Sequence, residues 1–305
     1  MMYKCEKIKF DDKVSLNVYL WLPNDKQNII GTVQLAHGMS EHLGRYAKFA
    51  EYLNSLGFIV LGADHYAHGL TCQDPFLVGV CQDYDFMTAV INSISLVRKT
   101  YSHYFTGNNI LFAHSMGSMA AQRYIELYPD DFSKVIICGT DYPVFKYSMA
   151  KLLSKLLMKK NQITYSNFIH NMGVGAFNKK FKHIHPKYGW LTNDLEIIKL
   201  YDNDKYCGKV YPINYYYSLA KMLRTSKKKK ERSKINRNIK VLIIAGLDDP
   251  VGSFGKGPLK LGKDYLKLNL STRIRLYKNA RHELLNELEP VITEVYKDIK
   301  TFITD

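Results

Sequence analysis

Short apolar runs alternate with amphipathic segments along most of this 305-residue chain. The runs have the length and the β-branched content of buried strands, and the apolar residues between them recur at helical spacing. Two strand-like segments near the beginning suggest a hairpin, and the later runs read GTVQLAHG, FIVLGAD, NNILFAHS, KVIICGT, IKVLIIAGLDD and TRIRLY. Such alternation predicts βαβ units, and therefore an α/β protein whose mostly parallel central sheet is flanked by helices.

Positive charge is concentrated in one part of the chain. Residues 141–240 contain 22 Lys and Arg against 6 Asp and Glu, whereas the whole chain has a formal net charge of +15, so the remainder is close to neutral. The basic stretch also lacks the series of strand-like runs that borders it on both sides. We therefore predict a core in two parts, residues 1–140 and 238–305, with a mainly helical insertion at residues 141–237.

Composition disfavours a secreted, a membrane-spanning, a disulfide-rich or a nucleic-acid-binding protein. We expect no signal peptide, and no window approaches the roughly 20 apolar residues of a membrane span. The cysteines are scattered without a CxxC pair, which is typical of reduced thiols in a cytoplasmic protein and disfavours a disulfide framework or a zinc site. They are Cys5, Cys72, Cys81, Cys138 and Cys207. The basic stretch contains no known nucleic-acid module, so no nucleic-acid partner is expected.

A serine follows one of the predicted strands in a distinctive setting. In LFAHSMGSMAA, Ser115 lies directly after a buried run and before a helical segment, with the small residues Ala113 and Gly117 two positions away on either side. One interpretation is an ordinary tight turn that contains a serine. The other is a strand-to-helix elbow that presents the hydroxyl as a nucleophile and directs the first amides of the helix at a reacting carbonyl.

A serine nucleophile needs a base, and a histidine base needs an orienting carboxylate. Asp248 and Asp249 follow a later predicted strand, and His282 follows the next one. Because the carboxyl ends of parallel strands meet at one edge of a sheet, these side chains are expected near Ser115. The partners therefore favour the nucleophile over the ordinary turn.

An oxyanion intermediate would also need backbone donors. The amide of Met39, in the turn after an early strand, and the amide of Met116, directly after the serine, are the candidates. Other histidines near these motifs are interpreted as residues that pack the turns, namely His37, His42, His65, His68 and His114.

Four stretches together resemble one family. They are HGMSEHLGRYAKFAEYLNSLGFIVLGADHYAHG, the serine elbow, GLDDPV and RHELLNE. They are similar to the monoacylglycerol lipase and lysophospholipase branch of the α/β-hydrolases, also described as serine-aminopeptidase-like (S33), and the inserted stretch resembles the cap of bacterial members. The resemblance implies the α/β-hydrolase fold with an inserted helical cap. It also implies hydrolysis of carboxylic esters, often monoacylglycerols or lysophospholipids, without a cofactor or metal.

The same resemblance assigns roles to individual residues. It implies that Ser115 is the nucleophile, Asp249 the acid and His282 the base. The two backbone oxyanion donors that it implies are the amides of Met39 and Met116. The family's Gly-x-x-Asp spacing, counted from Gly246, selects Asp249 over Asp248. The chain departs from the family pattern at Ala67, Ala113 and Ser118, where glycine is usual or frequent. These small-for-small changes bear on substrate fit more than on the three catalytic side chains.

The substrate stays open at this point. An aminopeptidase or a thioesterase would use the same three residues, and a catalytically silent binding protein would share the fold. An intact nucleophile, acid and base in the expected order disfavour the silent protein. Specificity would depend on the inserted stretch.

One segment of the insertion, MAKLLSKLLMKK, has a strong helical pattern. An apolar stripe lies on one side of this helix, formed by Met149, Leu152, Leu153, Leu156 and Leu157. Lysines lie on the other side, namely Lys151, Lys155 and Lys159. One interpretation is a helix that packs its stripe on the body of the protein. The other is a cap helix that meets acyl chains or lipid head groups at an anionic membrane surface, which would give a cytoplasmic protein a peripheral membrane contact.

Overall fold

An eight-stranded sheet runs through the computed structural model, which describes residues 2–24, 28–142, 145–158 and 163–305. The strands occur in the spatial order β1-β2-β4-β3-β5-β6-β7-β8. Their bounds are β1 Met2–Lys9, β2 Ser15–Leu22, β3 Gly31–Ala36, β4 Phe58–Ala63, β5 Asn108–His114, β6 Lys134–Cys138, β7 Lys240–Gly246 and β8 Ser271–Tyr277. β1 and β2 form the predicted hairpin and pair antiparallel, and every pair from β4 through β3 to β8 is parallel.

Helices cover both faces of this sheet. Their bounds are α1 Ala47–Ser55, α2 Gly69–Cys72, α3 Phe86–Thr100, α4 Met116–Leu127, α5 Phe145–Leu157, α6 Asn167–Met172, α7 Val174–Phe177, α8 Leu195–Asn203, α9 Ile213–Ser226, α10 Lys229–Arg232, α11 Lys256–Lys267 and α12 Val291–Thr304. The apolar stripes of α1 and α12 pack on one face, and those of α3, α4 and α11 pack on the other. The central strands are buried on both faces, which explains why they read as continuous apolar runs.

The segment between β6 and β7 contributes helices α5 to α10, and its described residues form no strand. Within it, α5 packs on α9, and α9 packs on α3 and α4 of the core. The segment therefore rests on the part of the core that carries the serine elbow. The division of the chain at residues 140 and 238 stays a prediction.

Helix α5 corrects one of the two interpretations of its sequence. Most of its apolar stripe faces solvent, since Leu152 and Leu156 are 59% and 72% exposed. Leu153 is half-buried and packs against the core, as the other interpretation expects, and Ser154 is fully buried. Lys151 is half-buried, with its Nζ 6.0 Å from the centre of the Tyr217 ring. The interpretation that the stripe packs on the body is wrong for Leu152 and Leu156, and it is also wrong for Met149 and Leu157, which are both exposed. Lys159 lies outside the described residues.

Among the residues that the structure describes, none of the helices combines the length and the apolar character needed to cross a bilayer.

Candidate active site

Ser115 occupies a strained turn between β5, which ends at His114, and α4, which begins at Met116. Its φ and ψ are 52° and −119°, a combination that costs an L-residue free energy and is often found at functional sites. Gly117 explains how the turn is built. A Cβ atom there would lie 2.4 Å from the carbonyl oxygen of Ala36 in β3, so glycine allows α4 to pack directly against that strand.

The structure brings the predicted nucleophile, base and acid together. His282 Nε2 lies 2.8 Å from Ser115 Oγ, and His282 Nδ1 lies 3.0 Å from Asp249 Oδ2. An ionised carboxylate only accepts hydrogen bonds, so Nδ1 carries the ring proton and Nε2 is left to accept from the serine hydroxyl. Asp249 is fully buried, and its Oδ1 accepts from the amide of Val251 at 2.8 Å. Both ends of the chain of hydrogen bonds are therefore held in place.

Asp248 has a different environment, although it is the neighbour of Asp249. Its side chain is exposed, and its amide donates to the carbonyl oxygen of Ala280 at 2.9 Å. The geometry therefore agrees with the preference for Asp249 as the partner of His282.

The residues that carry the two predicted oxyanion donors lie beside the same cavity as Ser115. Met39 and Met116 both line that cavity. Met116 is the first residue of α4, where backbone amides have no partner within the helix. The amide of Gly38 donates to Glu41 Oε1 at 2.6 Å, so Met39 is the next amide of that loop that can serve. Their role as oxyanion donors stays a prediction.

A buried group of charges, which the sequence did not predict, supports these loops. Arg45 forms two hydrogen bonds with the carboxylate of Glu283, at 2.8 and 2.7 Å, and a third with Glu41 at 2.9 Å. Burial alone would raise the pKa of Glu41, but the hydrogen bond from His114 and the charge of Arg45 hold it well below its ordinary value. Because Glu283 follows His282 and Glu41 lies in the loop of Met39, the group links two sides of the site.

His114 completes this group. Its Nδ1 lies 3.1 Å from Glu41 Oε1, and its Nε2 lies 3.3 Å from the carbonyl oxygen of His282. Both partners accept hydrogen bonds, so a doubly protonated ring satisfies both contacts. Burial would lower the pKa of His114, but the hydrogen bond and charge of Glu41 raise it above its ordinary value. His114 is therefore part of an ion pair beside the nucleophile, not only a residue that packs the turn.

Three other histidines near the site behave as expected for packing residues. The ring centres of His37 and His65 are 4.2 Å apart, and those of His37 and His68 are 5.1 Å apart. Burial lowers the pKa of His65 to about 3 and that of His68 to about 4, and it also lowers that of His37. The three rings are therefore neutral near pH 7.

Within the described part of the chain, one group of side chains offers several metal-binding atoms. The ligand atoms of His42, Asp204 and Cys207 lie within 4.8 Å of one another. His42 Nε2 and Asp204 Oδ2 already form a hydrogen bond at 2.8 Å, and burial raises the pKa of the Cys207 thiol, which favours its protonated form. A hydrogen bond accounts for this contact without an ion.

The cavity next to Ser115 has a volume of about 510 Å³ and a largely apolar wall. Most of that wall comes from the segment between β6 and β7. The centre of the Trp190 ring lies 5.1 Å from that of the His282 ring, and the two rings are tilted by 41°. Other apolar and aromatic residues that line the cavity include Met119, Tyr147, Ile169, Met172, Val174, Phe177, Leu191, Tyr215, Tyr216, Leu219 and Val251.

Comparison with known proteins agrees with this arrangement. A family model described as "Serine aminopeptidase, S33" matches residues 27–289. A monoglyceride lipase homolog from Monkeypox virus is 24% identical over 275 residues, which cover 89% of this chain and 88% of that protein. Monoglyceride lipase from Rattus norvegicus is 22% identical over 289 residues, which cover 93% and 85%.

A solved structure is similar over the full chain. The carboxyl esterase from Bacillus coagulans has a TM-score of 0.87 and 24% identity, and the superposition covers 100% of this chain and 98% of the esterase. At that identity the likeness speaks for the fold, and it confirms the predicted α/β-hydrolase architecture. With the family match over residues 27–289, the chain belongs to the serine aminopeptidase S33 family of α/β-hydrolases.

Proposed function

We propose that this chain hydrolyses carboxylic esters of single-chain lipids, of the monoacylglycerol or lysophospholipid type. The observation that carries the proposal is the chain of hydrogen bonds from Ser115 through His282 to Asp249, which opens into an apolar cavity of about 510 Å³. The relatives named as monoglyceride lipases and as a carboxyl esterase support an ester as the bond that is cleaved.

The geometry suits a two-step acyl transfer. Ser115 Oγ attacks the carbonyl carbon of the ester, and its proton passes to His282 Nε2. The carbonyl oxygen becomes an oxyanion, for which the amides of Met39 and Met116 are the proposed donors. The bond between the acyl carbon and the alcohol oxygen then breaks, and His282 returns the proton to the departing alcohol.

Water completes the cycle by the same route. It loses a proton to His282 and attacks the acyl-serine, after which the carboxylic acid leaves and Ser115 regains its proton. Asp249 accepts the hydrogen bond from His282 Nδ1 throughout and stabilises the imidazolium that forms in each step. No cofactor takes part in either step.

The cavity wall favours an acyl chain over a peptide N-terminus. An aminopeptidase holds a free amino group, and a carboxylate is the side chain suited to bind it. Among the described residues that line the cavity, the carboxylates are Glu41 and Glu283, and both already bind Arg45. A thioester would meet the same apolar wall, so it belongs in the panel of test substrates.

Contact with a lipid surface forms part of the proposal. The solvent-facing residues of α5 include Leu152 and Leu156, and Met172 of α6 is both 48% exposed and part of the cavity lining. An apolar surface that continues into the cavity allows a lipid to enter without crossing water. The positive charge of the same segment would attract anionic lipids.

Labelling with a fluorophosphonate probe tests the nucleophile. Wild-type protein should be labelled and should hydrolyse p-nitrophenyl butyrate and 1-lauroylglycerol faster than a butyryl thioester or an aminoacyl anilide. Ser115→Ala should lose the label and about 10⁶-fold in turnover, because the nucleophile is removed. Ser133→Ala, at an exposed serine, is the matched control and should resemble wild type. Labelling that persists in Ser115→Ala would overturn the assignment.

A further inference from the structure

Three lysines line the cavity of Ser115 and add positive charge to its largely apolar wall. They are Lys182, Lys187 and Lys209. The carboxylates of the described lining residues, Glu41 and Glu283, are both bound to Arg45 and do not neutralise them. Lys187 Nζ lies 4.0 Å from Asp202 Oδ1, but the two side chains are 66% and 36% exposed, so water screens this contact. The cavity therefore presents positive charge to its ligand.

Two of these lysines lie on backbone that is fixed to the reactive end of the cavity. The amide of Lys209 donates to Ser40 Oγ, and the amide of Gly208 donates to the carbonyl oxygen of Ser40 at 3.2 Å. Ser40 directly follows Met39, the proposed oxyanion donor. Lys209 is thus tied to the loop where the ester carbonyl would bind.

The segment of Lys187 is tied to the same place. The hydroxyl of Tyr188 donates to the carbonyl oxygen of Gly208 at 3.2 Å. Gly208 has a φ of +67°, and a Cβ atom there would lie 2.2 Å from the Tyr188 hydroxyl, so this close packing depends on glycine. Lys187 and Lys209 therefore stand on adjoining parts of one wall, whereas the apolar residues of the cavity are suited to the acyl chain.

We infer that Lys182, Lys187 and Lys209 bind an anionic head group, and that the preferred substrates are single-chain esters with a phosphate on the glycerol. The inference rests on the proposed function, because it names the substrate class of the same site. An ammonium group binds phosphate as a compact positive charge, and several around one cavity raise the local concentration of an anionic substrate. Neutral monoacylglycerol would contact the same apolar wall, but its head group would form no ion pair with these lysines.

Monomeric substrates separate head-group binding from attraction to a membrane. Hexanoylglycerol and hexanoylglycerol 3-phosphate are compared below their micellar concentrations, and kcat/KM is measured for each. Wild-type protein should prefer the phosphorylated ester by about tenfold, since each exposed charge contact changes affinity by a factor of about two. The variant Lys182→Gln, Lys187→Gln, Lys209→Gln should hydrolyse the two esters at similar kcat/KM.

The matched control removes the same number of charges from the exposed run outside the cavity lining. Lys228→Gln, Lys229→Gln, Lys230→Gln should keep the wild-type preference. Free glycerol 3-phosphate should compete with p-nitrophenyl butyrate in the wild type and the control, and about tenfold more weakly in the cavity variant.

The two proposals fail in different ways. If wild-type protein does not hydrolyse p-nitrophenyl butyrate, the proposed function is wrong. If it does, but the preference for the phosphorylated ester is absent or survives in the cavity variant, the lysines do not select the substrate. Equal loss of preference in the control would show that overall charge, not the cavity, sets it.

Discussion

The strand ends that carry the reactive residues and the helices that cover them differ in how their polar and apolar groups are placed. At the strand ends, Ser115, His282 and Asp249 are joined by hydrogen bonds, and a buried group of charges holds the surrounding loops. In the covering segment, α5 turns leucines to solvent and lysines line the cavity mouth. We propose that the first region carries out the reaction and that the second recognises the substrate. If so, mutations should separate chemistry from specificity.

The largest effect expected from a conservative change is at Asp249. Asp249→Asn keeps the shape of the side chain but removes the carboxylate that accepts from His282 Nδ1. The histidine then loses its preferred tautomer, which typically lowers turnover by about 10⁴-fold. Steady-state kinetics with p-nitrophenyl butyrate, together with the rate of fluorophosphonate labelling, measures this loss.

Asp248→Asn is the matched control for Asp249→Asn, because it makes the same chemical change one residue earlier on an exposed side chain. Its kinetics should stay close to wild type. If the two variants ranked in the opposite order, Asp248 would be the residue that orients His282, and the assignment from the 3.0 Å contact would fail.

A smaller effect is expected at His114, which supports the reactive residues without being placed in the proposed chemistry. His114→Gln removes the positive ring between Glu41 and the carbonyl oxygen of His282. The loops should then move by a fraction of an ångström to about an ångström, which typically lowers kcat by about 10- to 100-fold. Since KM for a small ester depends on the cavity, it should change little.

The pH dependence of stability tests independently whether the buried ring of His114 is positively charged. Its pKa is raised in the folded protein, so its stabilisation is complete below the unfolded value of about 6.5 and is lost as the pH rises through the folded value. The free energy of unfolding should therefore differ most between wild type and His114→Gln near pH 6, and the difference should shrink toward pH 9. Urea denaturation measures it. A difference for His114→Gln that stayed constant over this pH range would indicate a neutral ring.

The sequence predicted the first region better than the second for physical reasons. Ser115, Asp249 and His282 each follow a strand of the parallel part of the sheet, and parallel strands bring such positions together whatever the helices do. Arg45 and Glu283 are 238 residues apart, and neither belongs to a periodic pattern, so only the folded chain reveals their pairing. The sequence shows Gly117 only as a small residue two positions after Ser115, whereas the structure shows that a side chain there would collide with the backbone of Ala36.

Helix α5 shows a different limit. Helical spacing predicts that apolar residues share one face, but it does not tell whether that face meets the body of the protein or solvent. Here α5 packs on α9 with Ser154 buried and Leu156 exposed. A pattern that normally indicates a buried face therefore lies largely exposed here, and this exposed surface is the one that we propose contacts lipid.

The smallest effect should distinguish that surface from the reactive site. Leu152→Ser, Leu156→Ser removes two exposed apolar side chains from α5, while Leu127→Ser, Leu266→Ser makes the same change on core helices at side chains that are 41% and 49% exposed. If α5 enters a lipid surface, the first variant should bind anionic vesicles about tenfold more weakly, because partial burial of two leucines is lost. Turnover of 1-oleoylglycerol in those vesicles should fall with binding, and hydrolysis of monomeric p-nitrophenyl butyrate should not change. The core variant should behave as wild type in all three measurements, since its leucines lie outside the cavity lining. If both variants lost vesicle binding equally, the position of the exposed leucines would not matter. The proposed lipid contact of α5 would then be wrong.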